Sequence, residues 1–385
     1  MKILILRTAP DKPDPENYNL QELGLAKALV RKGMSCDVAY YCGREKFRRE
    51  RIEFDEGRHF DLLWLPGFGL LREGFFPGIL RIVEDYDIIQ ISEYIGITSF
   101  YLSLKFPDRI VYYQGPYYCK KNRGDIIKAF FFDRLLLPFM LKKGMTAAAK
   151  SKLAEAYLRK KGIADVRTLG VGLDTDNFNE DSTAEEKCPL ISELKNKRSE
   201  EGYLLYIGAM EERRDIIFLL NTFKLVTETM PGVRLVLVGK GEKAYVSDCF
   251  KEACKLGIRE KIIYREKIGQ KYLPSVYRSC DMFIFPTDYE IFGMVMLEAM
   301  YFGLPVITTF NGGSSTLIDG ENGLILRDKS KELWSFKIIE LLRDRKTRSH
   351  MGEKAHQTVL KGFTWDALAD DFASLYRGKA RKEQG

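Results

Sequence analysis

Short apolar runs alternate with segments of helical period along the whole chain, and the alternation starts afresh after a polar gap. KILIL leads into YNLQELGLAKALVRKG, where Leu20, Leu23, Leu25, Ala26 and Leu29 form an apolar stripe and Gly33 supplies a stop. CDVAYY, DLLWL, DIIQI, RIVYY and MTAAA follow as runs with the length of buried strands. After residues 179–202, polar and carrying Pro189, the pattern resumes as YLLYIG, VRLVLVG, KIIYR, DMFIF and LPVIT. IIFLLNTFKLVTET, AYVSDCFKEACKLG, YLPSVYRS and FGMVMLEAMYFG lie between these runs as helix candidates. Strands apolar on both faces, separated by helices, predict parallel sheets covered on both sides. The reading is therefore an α/β chain of two Rossmann-like domains in tandem.

A chain of 385 residues exceeds what one hydrophobic core usually serves. The expected domains are residues 1–178 and 179–363, with 179–202 read as the linker region. The tail from Lys331 carries a helical pattern broken near Gly352 and Gly362, and its last piece, 364–385, is expected to return to the first domain.

Composition excludes several classes. Seven cysteines without a C-x-x-C pair argue against a disulfide framework and a structural zinc site, and three histidines away from any ligand cluster argue against a His-built metal centre. The leading run is too short for the core of a signal peptide, and the greasy stretch 129–141 is interrupted by Asp133, Arg134 and Pro138. The expected location is cytoplasmic or membrane-peripheral. The net charge of +7 is unevenly spread: residues 101–161 hold fourteen Lys or Arg against Asp108, Asp125, Asp133 and Glu155, an excess of the kind that meets anionic partners. Within this region KAFFFDRLLLPFMLKKG admits two readings, a core helix with solvated ends or an amphipathic helix lying on an anionic bilayer.

The chemistry concentrates in PTDYEIFGMVMLEAMYFGLPV, where Glu290 and Glu298 flank seven residues that are all apolar or Gly. In a doubly wound sheet, ligands gather beyond the carboxyl ends of the strands, where helix amino termini present free N–H groups. With a strand ending at Pro286 and a helix beginning near Phe292 or Gly293, Glu290 lies in the crevice loop and Glu298 about one and a half turns inside the helix. Gly293 lets a phosphate approach the backbone, so a diphosphate fits there without metal. The two carboxylates then accept hydroxyls on either side, which is what a sugar nucleotide presents. YIGAMEERRD adds Arg213 and Arg214 beside another strand end, and VLVGKGE and FNGGSS add two further Gly-punctuated ends.

These motifs resemble those of retaining glycosyltransferases of the GT-B fold, glycosyltransferase family 4, most strongly over residues 170–326. The family's E-x7-E matches Glu290 and Glu298, followed by Ala299, Met300, Gly303, Pro305 and Val306 of its EAM-x-x-G-x-P-V. Its G-v-D-x-x-x-F falls on Gly172, Leu173, Asp174 and Phe178, its G-G on Gly312 and Gly313, and its D-G-x-N-G-x-L on Asp319, Gly320, Asn322 and Gly323, with Ile325 in the closing place. The resemblance implies two Rossmann-like domains facing each other across a cleft. It implies metal-independent, retaining transfer of a sugar from a nucleotide diphosphate of UDP or GDP type to a hydroxyl acceptor, in polysaccharide or glycolipid synthesis, with no further cofactor and no nucleic-acid partner.

By the same resemblance, Glu298 accepts from the donor ribose, Glu290 holds hydroxyls of the transferred sugar, and backbone amides of Phe292, Gly293, Met294 and Val295 line sugar and phosphates. The family's diphosphate-gripping G-R-x-x-x-x-K falls on Gly208, with Ala209 in the Arg place and Arg214 in the Lys place, so Arg213 or Arg214 must cover the missing cation. Backbone near Ile268 is the expected reader of the base. The first domain departs further: a polar loop, TAPDKPDPENYN, containing Asn17, stands where the family has glycines, and Ser92 and Gln114 stand where it often has His. Gln114 and Glu93 are the expected active-cleft residues there. Two rivals keep the fold, a sugar-nucleotide epimerase and a non-catalytic sugar-nucleotide binder.

Overall fold

The computed structural model describes residues 1–14, 20–70, 73–117, 123–178, 188–196 and 202–381. It divides into two compact units, Met1–Asp174 with Phe363–Gly385, and Thr175–Gly362.

The first unit is built on eight strands: β1 Lys2–Leu6, β2 Ser35–Tyr41, β3 Arg48–Phe54, β4 Arg58–Leu65, β7 Ile88–Ile91, β8 Ile110–Gln114, β9 Thr146–Ala149 and β10 Asp165–Thr168, with a small separate hairpin, β5 Phe68–Leu70 and β6 Glu73–Phe75. Their order is β10-β9-β8-β7-β1-β2-β4-β3, parallel except for the β3–β4 pair. The central strands are dry on both faces: Ile3, Leu4, Val38, Ile88 and Val111 have no solvent exposure. Parallel strands so buried need helices on both sides, which explains their unbroken apolar sequences.

Helix Gln21–Arg31 buries its Gly24, Leu25, Ala26, Ala28 and Leu29 side and packs against helix Trp365–Arg381. That terminal helix is held on this unit by Arg31 to Asp366 at 3.1 Å, Lys32 to Asp370 at 2.6 Å, and the Tyr376 hydroxyl donating to Gln90 Oε1 at 2.6 Å.

The second unit is a six-stranded, wholly parallel sheet: β11 Tyr203–Ile207, β12 Arg234–Val238, β13 Ile262–Arg265, β14 Met282–Phe285, β15 Val306–Thr308 and β16 Gly323–Ile325. The order β13-β12-β11-β14-β15-β16 reverses direction between β11 and β14, and the crevice outside their carboxyl ends is where such a sheet takes ligands. Part of the polar stretch expected as linker is instead a helix, Pro189–Asn196, which buries Leu190, Ile191 and Leu194 in this unit. The rest of that stretch, 179–187 and 197–201, lies outside the described residues.

The tail also differs from its expectation. It breaks at Asp344, between helices Lys331–Arg343 and Arg345–Gly362, and not at Gly352. Gly352 is interior to the second helix because that helix presses on the carboxyl end of helix Met294–Tyr301: a Cβ at 352 would stand 2.1 Å from the Gly303 carbonyl oxygen.

The six described cysteines are free, and Cys119 lies outside the described residues. Among the described residues, no helix is long and apolar enough to cross a membrane.

Because backbone cannot yield as a side chain does, Gly352→Ala should destabilise the second unit by about 1–3 kcal/mol through overpacking. Urea unfolding of the full chain measures it; an unshifted transition for that unit would contradict the contact.

Candidate active site

The site grows from the loop that follows β14. Pro286 ends the strand, residues 287–292 cross the sheet edge, and Gly293, at φ +84°, turns the chain into helix Met294–Tyr301. That dihedral lies in the left-handed region, where a side chain is strained. The first N–H groups of the helix have no partner within it and point toward the crevice. Close passage of Gly313, where an added Cβ would stand 1.7 Å from the Phe292 carbonyl oxygen, brings the Gly312–Gly313 turn against the same loop.

Several ties lace this loop to its neighbours. Asp288 N–H donates to the Arg213 carbonyl at 2.8 Å, Gly312 N–H to the Glu290 carbonyl at 3.0 Å, and the Thr309 hydroxyl to the Thr287 carbonyl. Lys329 bridges Asp215 and Asp288 at 2.7 and 2.5 Å. The loops after β11 and β14, far apart in sequence, thereby act as one wall.

Across that wall Arg214 and Glu290 form an ion pair, with side chains only 12% and 14% exposed. The guanidinium lies over the Phe285 ring at 4.8 Å, and its Nε is buried without a hydrogen-bond partner among the described residues. Glu290 also accepts from Ile291 N–H at 3.0 Å. Arg213 does not share the pair: its Nε goes to Glu211 at 2.7 Å and its Nη1 to the Tyr289 carbonyl at 3.0 Å, so it braces the loop. Gly208 donates its N–H to the Val238 carbonyl, and Ala209, where the family has Arg, accepts from the Tyr206 hydroxyl.

Glu298 is buried, one turn and a half further on, and accepts from the Tyr277 hydroxyl at 2.8 Å. Burial pushes its carboxyl up to about 7, and the Tyr277 bond opposes that rise. Phe292, Met294 and Val295 stand at the start of the helix, as the spacing predicts, while Ile268 lies in the loop after β13, on the outer side of the same sheet.

The first unit carries a second cluster at its own strand ends, around the β1/β7 reversal. Glu93 follows β7, and burial raises its carboxyl to about 7 against the opposing pull of Lys150. Lys150 ends β9, donates to Gln21 Oε1 at 2.9 Å and sits 4.7 Å over the Tyr113 ring; burial lowers its pKa. Arg7, after β1, pairs with Asp11 at 2.6 Å and Glu22 at 3.6 Å.

Neither Lys150 nor Arg7 belongs to a sequence motif; the available signal was only a lone cation closing an apolar run. Gln114, expected in the active cleft, ends β8. It is buried, its Oε1 accepting from Tyr94 N–H at 3.3 Å and its Nε2 donating to the Pro116 carbonyl at 2.9 Å, so its amide is taken up by backbone. Ser92 likewise donates to the Leu6 carbonyl. Asn17 lies outside the described residues. Among those described, no group of three or more His, Cys, Asp or Glu side chains is placed to hold a metal ion.

Residues 190–358 match the family model described as Glycosyl transferases group 1. An uncharacterized glycosyltransferase of Methanocaldococcus jannaschii is 25% identical over 369 residues, 92% of either chain. A GDP-mannose-dependent alpha-(1-6)-phosphatidylinositol monomannoside mannosyltransferase of Mycobacterium tuberculosis is 26% identical over 244 residues, 61% of this chain and 60% of its own length. Among solved structures, HepE of Anabaena in complex with UDP superposes with a TM-score of 0.73 at 16% identity, covering 98% of this chain and all of the other.

The raised carboxyl of Glu298 ties stability to pH. Between its ordinary value of 4.5 and about 7, the folded chain keeps a proton that the unfolded chain has released, so stability falls as pH rises through this window and is level beyond it. Glu298→Gln should flatten that fall, leaving the share due to Glu93. Identical slopes in wild type and variant, from denaturant titrations between pH 4.5 and 7.5, would contradict the burial.

Proposed function

From the premise that this chain is a GT-B glycosyltransferase of the group 1 type, we propose that it moves a sugar, with retention, from a UDP- or GDP-linked donor to a hydroxyl of a carbohydrate or lipid-linked acceptor. The product belongs to polysaccharide or glycolipid synthesis, and the enzyme works in the cytoplasm with peripheral membrane contact. The observation that carries this reading is the Arg214–Glu290 pair at the strand-order reversal, with an unsatisfied guanidinium N–H. A buried donor without a partner is costly, and a phosphate oxygen satisfies it.

In this reading the second unit binds donor. Amides of Gly293, Met294 and Val295 and the helix dipole take the diphosphate, with Gly208 giving room at the facing turn. Arg214 neutralises the charge that develops as the leaving group departs, while Glu290 orients the guanidinium and accepts hydroxyls of the sugar. Glu298 accepts from the ribose. The bond from the anomeric carbon to the phosphate oxygen breaks, the acceptor oxygen bonds to that carbon on the same face, and the acceptor proton passes to the departing phosphate. Cation and dipoles thus supply the stabilisation without a metal. The first unit selects acceptor, with Glu93 and Lys150 as its polar contacts.

Incubation with UDP- and GDP-sugars tests the reaction class. Slow release of free sugar is expected; an isomerised nucleotide sugar would mean an epimerase, and binding without turnover a sensor. Arg214→Ala and Glu298→Ala should each weaken nucleotide binding by roughly 10–100-fold in calorimetry, the value of a charge-assisted hydrogen bond. Since the ribose is better met by the ionised carboxylate, wild-type affinity should also rise with pH up to about 7, and Glu298→Gln should lose that dependence. Full affinity in both alanine variants would remove the site assignment.

A further inference from the structure

The region left with two readings is resolved in an unexpected way: it is core on one side and bare on the other. Helix Arg123–Leu135 and the short helix Leu137–Lys142 bury Phe132, Leu137 and Met140 in the first unit, Phe132 meeting Tyr94 ring to ring at 6.0 Å. On the outward side Ile126, Ile127, Phe130, Phe131, Leu135 and Phe139 are 46–64% exposed. Residues 127, 131 and 135 recur at four-residue spacing, so they share a face. That face continues to Ile97 and Tyr101, 55% and 45% exposed, on helix Ile97–Lys105, which packs against Leu137–Lys142. Single exposed apolar residues are ordinary; a contiguous aromatic surface on a soluble unit marks an interaction site.

We propose that this surface seats the first unit on an anionic lipid bilayer, the two helices lying in the plane of the headgroups. Charge complementarity selects the partner. Arg134, Lys142 and Lys143 rim the aromatic face, exposed and in no ion pair among the described residues, while the local acid Asp133 is already engaged by Lys161 and the Tyr94 hydroxyl. Aromatic rings at the acyl boundary with basic side chains reaching the phosphates are the physical signature of interfacial binding. A second copy fits less well, because a twofold contact would set the same cations against each other.

The face also adjoins the strand-end cluster: Lys128, on the same helix, is ion-paired with Glu73, and both contribute to the electrostatic surroundings of Glu93. A lipid-linked acceptor held at the bilayer therefore enters beside Glu93, a consequence that rests on the transferase reading.

Flotation of the full chain with vesicles of phosphatidylcholine, alone or with an equal part of phosphatidylglycerol, tests the docking without donor or acceptor, so its outcome is separate from that of the transfer assay. Wild type should float with the anionic vesicles, weakly with the neutral ones, and less at high salt. Phe130→Ser/Phe139→Ser and Lys142→Glu/Lys143→Glu should each lose about tenfold or more in binding, with thermal melts unchanged because all four side chains are exposed. Failure of wild type to float, or binding at the wild-type level by both variants, would overturn the proposal. So would a dimer in sedimentation that the Phe substitutions dissociate, since the face would then belong to a second copy.

Discussion

The second unit is organised around a pair of opposite charges placed where its strand order reverses. Arg214 comes from the loop after β11 and Glu290 from the loop after β14, so their contact joins two segments that the sheet brings together and the chain does not. Taking both groups largely out of water costs several kcal/mol per ion before their attraction is counted. The cost is offset because the pair is braced: Phe285 lies under the guanidinium, Ile291 N–H holds the carboxylate, and Lys329 fastens the two loops alongside. The guanidinium Nε stays buried without a hydrogen-bond partner among the described residues, and a planar guanidinium held in a braced wall presents its donors in a fixed geometry that a flexible lysine on the surface does not.

The three carboxylates divided between the units are differentiated by surroundings rather than by residue type. Glu290 faces a full cation. Glu298 has only a hydroxyl, and Glu93 has Lys150 at the reach of a field and not of a bond, so burial dominates in both and holds each near 7. Acids of one chemical kind are thereby given different surroundings, and the two governed by burial are able to change protonation near neutrality. Under the proposed reading, Glu298 meets hydroxyls of the donor and Glu93 a hydroxyl of the acceptor.

How much of this could be read beforehand follows from where each element lies. Strands dry on both faces, such as β1, β7, β11 and β14, announce themselves as unbroken apolar runs, and the helix carrying Glu298 follows from Gly293 and the strand before it. Three of the four edge strands do not, β13 with its KIIYR run being the exception. β3, RRERIEF, is an exposed antiparallel edge whose charges guard it against pairing with another chain, and charge erases the apolar signal. β16 is three residues long, and three of the four residues of β10 are polar. Gly352 shows the same limit from the other side, because a glycine required by a neighbouring helix looks in sequence like a glycine that ends its own.

The two candidate sites differ in legibility for a related reason. In the second unit the candidate ligand groups include backbone amides, and backbone can approach a phosphate closely where glycines stand within a strand end, a turn and a helix start. Such spacing is contiguous, so it survives as a motif. In the first unit the polar groups are long side chains, Arg7, Glu22, Glu93 and Lys150, contributed by separate strands and a helix and balanced against one another through space. No interval along the chain links them. Under the proposed reading, the donor side is thereby written into contiguous sequence, while the acceptor side is written only in the three-dimensional arrangement.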